Sequence, residues 1–131
     1  MRQQPARAAR LRISDEDVDG SGGRPLVKTD TVRWTWTWSG LCFGYWIDDE
    51  LWTYGGKHVG HRIGSDIHAP NGRYVGELML NGRLSTNKTK AGNLRSVFLP
   101  APARVHAQRL HDHAGQAHYA GYADFPHPDT L

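Results

Sequence analysis

From about position 36 to position 84 the hydrophobic and polar positions repeat every 16 residues. When the sequence is set in rows of that length, glycines align in two columns and apolar residues in two others. The aligned residues are Gly40, Gly56 and Gly72; Gly44, Gly60 and Gly76; Phe43, Val59 and Val75; and Ile47, Ile63 and Met79. Self-similarity at a fixed period indicates a repeat architecture. Three tandem copies of one structural unit are therefore predicted.

Each copy has the pattern of a β-hairpin. Turn-forming pairs occur twice per copy, and their glycines and asparagines adopt positive φ at little cost. The pairs are Ser39-Gly40, Gly55-Gly56 and Asn71-Gly72, and then Asp48-Asp49, Gly64-Ser65 and Asn81-Gly82. The segments between them are rich in Trp, Tyr, Ile and Val, which favour strands. Alternation along the second strand of each hairpin predicts that the two apolar columns face the core.

The column of Gly44, Gly60 and Gly76 falls in the middle of predicted strands, where glycine weakens the strand. Its recurrence predicts a close backbone approach at each position, as a closed ring of hairpins requires. A fourth hairpin would close the ring and remove exposed strand edges. Residues 104–122 are the candidate, with residues 85–103 as an insertion before them.

The composition outside the repeat predicts a tail at each end of the chain. Residues 1–30 contain arginines, an acidic run and a Gly-Ser-Gly-Gly linker, and this composition cannot offset its ordering entropy. We expect a disordered tail over 1–30, a β-hairpin repeat domain over 31–126 and a C-terminal tail over 127–131. The net charge of +3 is weak support for an acidic partner.

Composition also limits the compartment. The single cysteine, Cys42, excludes an intrachain disulfide and favours a reducing environment. No apolar run reaches the ~18–20 residues of a membrane span, and no apolar leader is present near the N-terminus. We expect a cytoplasmic protein with no membrane partner.

Two stretches resemble the repeat of the four-fold β-flower family, small bacterial proteins of uncharacterised function. They are residues 51–60 (LWTYGGKHVG) and 67–78 (IHAPNGRYVGEL), and residues 119–126 (YAGYADFP) are similar to the end of bacterial members. The resemblance covers about positions 34–126. It implies an all-β fold of four short hairpin petals around a pseudo-four-fold axis. The family has no established activity, so no catalytic residue is carried over.

Three groups of residues are candidate sites, each weighed against a structural role. Aromatic and imidazole side chains of the repeat suggest a ligand surface, namely Trp36, Trp52, His58, His68 and Tyr74. An acid-free basic stretch suggests nucleic-acid binding through Arg83, Lys88, Lys90, Arg95 and Arg104. His111 and His113, with His118, are weak metal candidates on a predicted hairpin.

Cys42 and His58 occupy equivalent repeat positions, which suggests a nucleophile and base, but a buried apolar role is favoured for the cysteine. No triad, phosphate loop or zinc spacing is present. The sequence therefore favours a non-enzymatic binding or interaction module of unknown ligand, with no cofactor. The alternative is a nucleic-acid-associated protein using the basic 83–104 loop, and an enzyme is less favoured. A homo-oligomer is left open.

Overall fold

The computed structural model describes residues 32–131, and the predicted tail over residues 1–30 lies outside them. The described residues form one antiparallel sheet of eight strands, each paired with the next along the chain. The strands are β1 (Arg33–Trp36), β2 (Cys42–Ile47), β3 (Glu50–Thr53), β4 (His58–Ile63), β5 (Asp66–His68), β6 (Tyr74–Leu78), β7 (Leu84–Asn87) and β8 (Tyr122–Asp124). Two 3₁₀ turns, Lys88–Lys90 and Pro128–Thr130, are the helical elements of this part. None of its helices is long and apolar enough to cross a membrane. The all-β prediction is confirmed.

Five-residue loops close the first three hairpins, where the sequence predicted two-residue turns. The paired ends are Trp36 with Cys42, Trp52 with His58, and His68 with Tyr74. The loop glycines have φ values of 99, 95 and 87° at Gly40, Gly56 and Gly72. In each loop the glycine N–H donates to the carbonyl three residues earlier. This pattern is that of a turn closed by a left-handed glycine, which leaves a bulge in the hairpin.

The other turns follow the prediction in two cases of three. Asp48-Asp49 and Gly64-Ser65 are two-residue connections, because Ile47 pairs with Glu50 and Ile63 with Asp66. Asn81-Gly82 instead lies in a five-residue loop over residues 79–83, between the paired Leu78 and Leu84.

One of the two predicted core columns is correct. Phe43 and Val59 are buried, and Val75 packs against the core. The second column is wrong: Ile63 is 41% exposed, whereas Trp46, the residue before Ile47 of that column, is only 2% exposed and lies in the core. Strand pairing skips positions 43, 59 and 75, so each second strand contains one extra residue. Such a bulge changes the parity of the alternation beyond it.

The predicted close approaches at the mid-strand glycines are present. A Cβ on Gly44 would overlap the Trp52 carbonyl oxygen, and a Cβ on Gly60 would lie 2.8 Å from Ile67 Cγ2. At Gly76 it would lie 2.6 Å from the Ser85 carbonyl oxygen. Neighbouring strands therefore occupy the space that a side chain would need at all three positions.

The prediction of a fourth hairpin over residues 104–122 is wrong. Residues 104–119 form no strand, and β8 begins only at Tyr122. β8 pairs instead with β7, and Asn87 lies opposite Tyr122. Gly121 does not match the mid-strand glycines either, because it has a φ of 81° and lies outside the strand. The long connection between β7 and β8 contains an extended segment over residues 93–119, called the belt below.

The belt attaches to the three hairpin loops at intervals of nine residues. The N–H groups of Arg95, Arg104 and His113 donate to the carbonyls of Gly72, Gly56 and Gly40 at 2.8, 2.8 and 2.7 Å, respectively. Three residues after each, the N–H groups of Phe98, Ala107 and Gln116 donate to the carbonyls of Pro70, Tyr54 and Trp38 at 2.9, 2.7 and 3.2 Å. Pairs of bonds separated in this way do not make a continuous ladder, which explains the absence of strands here.

The sheet curls until the end of β1 meets β7. Thr37 forms a parallel bridge with Leu84, and the Trp38 N–H donates to the Leu84 carbonyl at 2.8 Å. The Ser39 N–H donates to the Asp124 carboxylate of β8 at 3.1 Å. The core lies inside this curl and includes Phe43, Trp46, Leu51, Val59, Ile67, Leu84 and Phe125.

Candidate ligand-binding site

The register of β3 and β4 brings one carboxylate to two imidazoles. Glu50 lies opposite His61 in the ladder. Its Oε2 is 2.5 Å from His61 Nδ1, and its Oε1 is 2.7 Å from His58 Nε2. Hydrogen bonds to a carboxylate are short and directional. Glu50 therefore orients both rings.

The hydrogen bonds of His58 define its tautomer. The Ala101 N–H, in the belt, donates to His58 Nδ1 at 2.9 Å. Nδ1 must be unprotonated to accept this bond, so the proton lies on Nε2, which donates it to Glu50. His58 thus links β4 to the belt through both of its ring nitrogens.

His61 is placed differently. Its Nδ1 donates to Glu50, and its side chain is 40% exposed. Within residues 32–131 no group is hydrogen-bonded to its Nε2. A ring whose Nδ1 donates to a carboxylate presents the other nitrogen as a hydrogen-bond acceptor.

The belt forms the opposite wall of a cleft of about 570 Å³ over these side chains. Phe98 contacts His58 and His61, with ring centroids 5.4 and 5.9 Å apart. Ile63, Val97 and Leu99 line the cleft with exposed apolar side chains. The cleft therefore combines an apolar wall with a fixed polar pair.

Arg95 adds a charge to this cleft. It forms no salt bridge with any residue that the structure describes. Both oxygens of Glu50, the other charged side chain of the lining, already accept bonds from the two imidazoles. Arg95 therefore leaves its charge available to a ligand.

In the two neighbouring hairpins, other side chains occupy the positions that correspond to Glu50, His58 and His61. Sixteen residues after the Glu50 cluster, Asp66, Tyr74 and Glu77 gather around Lys90, whose Nζ lies 2.8 Å from Asp66 and 3.4 Å from Glu77. Burial raises the pKa of Tyr74, and the carboxylate of Asp66 raises that of Lys90. Sixteen residues before it, Trp34, Cys42 and Tyr45 stand in place of the polar cluster, with Trp34 packed edge-on to Tyr45. The Glu50 cluster faces the cleft lined by the belt.

A second cavity, called the chamber below, adjoins the cleft. Its volume is about 290 Å³, and its lining is mostly apolar, including Val59, Pro70, Ala103 and Leu131. His58 and Ala101, which are hydrogen-bonded to each other, line both cavities and form a wall that the cleft and the chamber share. Lys57, also in the lining, is hydrogen-bonded to the Leu131 carbonyl oxygen.

The predicted aromatic and imidazole surface is divided by the structure. His58 lies in the cleft, and Trp52, which is buried, stacks on it with ring centroids 4.9 Å apart. Trp36 lies under the belt, where its Nε1 donates to the His111 carbonyl. His68 and Tyr74 are buried in the third hairpin. Ligand binding by the whole set stays a prediction, and His58 is its one member on the cleft wall.

The predicted basic stretch is spread over several elements. Lys90 is paired with Asp66 and Glu77, and Arg83 donates to the Trp38 carbonyl at 3.1 Å. Arg104 lies over the rings of Tyr45 and Trp52, at 5.7 and 5.4 Å from their centroids. These three charges have partners within the protein. Nucleic-acid binding stays a prediction that these contacts do not favour.

The weak metal candidates lie on the belt and not on a hairpin. The ring of His113 packs against Trp36 with centroids 3.9 Å apart. No group of three or more potential metal ligands is present among residues 32–131. Cys42 is fully buried, as predicted, and burial raises the pKa of its thiol.

Glu50, His61 and Phe98 were missed as site residues because they carry no sequence motif, and Arg95 was identified only as part of the basic stretch. Glu50 and His61 are opposed only when the strand register is known. That register follows from the five-residue loop and the bulge between β3 and β4, and neither is visible in the 16-residue rows. The signal that was available is the imidazole pair at positions 58 and 61, on a strand that begins after the Gly55-Gly56 turn.

The chain matches no protein-family model, no curated protein and no solved structure. The fold and the cleft are therefore the basis for any functional assignment.

Acid should destabilise the fold partly through His68. Burial, and then the charge of Arg95, lower the pKa of this side chain, which is 3% exposed and whose Nδ1 has no partner among the described residues. The unfolded chain takes up the proton first, near the ordinary value of 6.5. The stabilising contribution is thus complete above that pH and is lost as pH falls through the lower folded value.

We expect His68→Phe to flatten the decline of the unfolding free energy with falling pH, measured by urea titration at several pH values. His118→Gln is the control, because His118 lies on the exposed belt. A variant with the same pH slope as the wild type would contradict the role of His68.

Proposed function

We propose that the protein is a non-enzymatic binding module that takes a small amphipathic ligand into the cleft. One observation carries the proposal: the Glu50–His61 pair, with His61 Nε2 unpartnered in the described part of the chain, faces a cleft of about 570 Å³ with apolar walls. Cavities of this size, apolar with a few placed polar groups, are typical of ligand sites.

The absence of an activated nucleophile supports binding over catalysis. Within residues 32–131 no hydroxyl or thiol is hydrogen-bonded to His61, and the thiol of Cys42 is buried elsewhere. A hydrolytic role with a nucleophilic side chain would require such a contact. We therefore assign the imidazole to recognition.

The four-petal arrangement is part of the proposal. The hairpins would be β1–β2, β3–β4, β5–β6 and β7–β8, and the belt would be the loop of the fourth. The pairing of Asn87 with Tyr122 supports this assignment, because it resembles the pairing at the other hairpin ends. Membership of the β-flower family, a bacterial source and a cytoplasmic location are likewise proposed.

Binding in the cleft is testable with the amphipathic dye 8-anilinonaphthalene-1-sulfonate. Leu99→Ser should weaken dye binding about tenfold in a fluorescence titration, because it removes apolar surface from the cleft wall. The matched control is Val105→Ser, since Leu99 and Val105 are 92 and 89% exposed and only Leu99 belongs to the cleft lining.

Both variants must retain a cooperative thermal melt, which excludes dye binding to a loosened core. Equal weakening by the two substitutions, or no dye binding by a natively melting wild type, would contradict a site in the cleft.

A further inference from the structure

Two polar groups of the cleft are open to a ligand, and their hydrogen-bonding roles are opposite. Arg95 forms no salt bridge within residues 32–131, so its guanidinium can donate to an anion. His61 donates through Nδ1 to Glu50, which leaves Nε2 as an acceptor. A ligand that satisfies both groups must carry an anion and, separately, a hydrogen-bond donor.

The belt keeps these two groups within reach of each other. Phe98 contacts the His61 ring at 5.9 Å between centroids, and Arg95 precedes Phe98 by three residues. Three extended residues span at most about 11 Å. The backbone bonds of Phe98 and Arg95 to Pro70 and Gly72 hold both positions on the third hairpin. One compact ligand can therefore contact both polar groups.

The apolar lining favours an aromatic body between the two polar ends. Ile63, Val97 and Leu99 present aliphatic surface, and the half-buried ring of Phe98 lies beside them. Aromatic rings packed edge-to-face or offset attract each other beyond the effect of buried area, so Phe98 favours a ring over an alkyl chain. The volume of about 570 Å³ is large enough for a fused two-ring body.

We propose that the ligand of the cleft is a hydroxy-substituted aromatic carboxylate. Its carboxylate lies against Arg95, its hydroxyl donates to His61 Nε2, and its rings pack on Phe98. This inference rests on the proposed function, because it names the ligand class of the same cleft. The chamber takes no part, since it lies behind the wall formed by His58 and Ala101.

The ionisation of such a molecule matches the two polar groups. A carboxylic acid is ionised at neutral pH, and a guanidinium binds the carboxylate through two parallel hydrogen bonds. A phenolic hydroxyl keeps its proton at the same pH, because its pKa is about 10. A cationic ligand would instead meet Arg95 and would find both oxygens of Glu50 already bonded.

The test is a set of naphthalene-2-carboxylates on the full protein, followed by NMR titration at about pH 8, where imidazoles are ordinarily neutral. In three of the acids a hydroxyl stands at different positions of the ring remote from the carboxylate. In the control acid it stands ortho to the carboxylate, where it bonds internally. We expect the best of the three to bind about fivefold more tightly than the unsubstituted acid and to move the His61 ring nitrogen signals. The ortho acid should gain nothing.

Two variants assign the ends of the ligand. Arg95→Gln should weaken every acid about tenfold and leave naphthalen-2-ol unchanged. Arg33→Gln is its control, because it removes the same charge from β1, outside the cleft lining. His61→Phe keeps a ring but removes the acceptor, so it should abolish the gain from the hydroxyl and retain binding of the unsubstituted acid.

The results on the wild-type protein decide the inference even if a variant fails to melt cooperatively. Hydroxy acids that bind no better than the unsubstituted acid would overturn the assigned donor. Naphthalen-2-ol binding as tightly as the acids, or equal weakening by the two arginine substitutions, would overturn the assigned carboxylate. If the dye binds in the cleft and none of the acids does, this inference is wrong and the proposed function stands. If the dye also fails to bind, both are wrong.

Discussion

Gly56→Ala is expected to lower the free energy of unfolding by about 3 kcal/mol. Gly56 has a φ of 95°, a conformation that costs an L-residue ~1–2 kcal/mol. A Cβ on this glycine would also overlap the carbonyl oxygen of Arg104 in the belt. The backbone on both sides would have to shift, and the two belt bonds to this loop would weaken.

Gly82→Ala is the matched control for this change. Gly82 has a φ of 84° in a loop of the same length, but nothing lies within 4 Å of a Cβ built on it. Its substitution should cost only the conformational part, ~1–2 kcal/mol. Urea denaturation measures both losses. The two variants would also be compared with the wild type for tryptic cleavage after Arg104. Equal losses of unfolding free energy in both variants, with unchanged cleavage, would show that the belt does not press on the loop.

Phe125→Ala should cost about 3–5 kcal/mol, the usual loss for a large aromatic side chain in a core. Phe125 is 3% exposed, packs edge-on against Phe43 at 5.2 Å between centroids, and occupies the space above Gly76. It follows β8 directly, so the loss tests whether the end of the chain belongs to the same cooperative unit.

Val105→Ala provides the comparison for this substitution, since Val105 is exposed on the belt and its change should stay within about 0.5 kcal/mol. Truncation after Pro102 removes β8 and Phe125 together and should abolish cooperative melting. A truncated protein that still melts cooperatively, or a Phe125 variant as stable as the wild type, would contradict the packing.

The strands and glycines of the repeat were predictable because they obey local rules. Each glycine of the column Gly44, Gly60 and Gly76 lies close to a neighbouring strand, and each loop glycine has a positive φ. The exact face of each side chain was not predictable, since the bulge at Phe43 and Val59 reverses the alternation without changing the 16-residue period.

The belt was misread for a physical reason. Leu94 to Leu99 and Val105 to Leu110 have strand composition, yet Leu94, Val97 and Val105 are exposed. Their backbone is bonded to three separate loops, and local propensity contains no information about such distant partners. The nine-residue interval of Arg95, Arg104 and His113 becomes meaningful only beside the glycines they contact.

The candidate site likewise combines a residue of the predictable repeat with residues of the unpredicted belt. His58 was identified because it belongs to a repeat column. Arg95 and Phe98 come from the belt, and they reach the cleft only through the bonds of that segment to Gly72 and Pro70. A site built from two such sources cannot be predicted from either one alone.

The pairing of Asn87 with Tyr122 has a consequence for how this protein can vary. The strands on either side of the long connection are already adjacent, so a tight turn could join them and leave the sheet intact. The belt, which forms one wall of the cleft, belongs to this exchangeable connection, whereas the Glu50 cluster belongs to the sheet. Relatives with the same sheet and another connection would keep the polar pair and change what fits against it. Under the proposed function, exchanging the connection would change what the cleft binds, but it would also remove the hydrogen bonds that the buried residues Trp38 and Cys42 make to the belt.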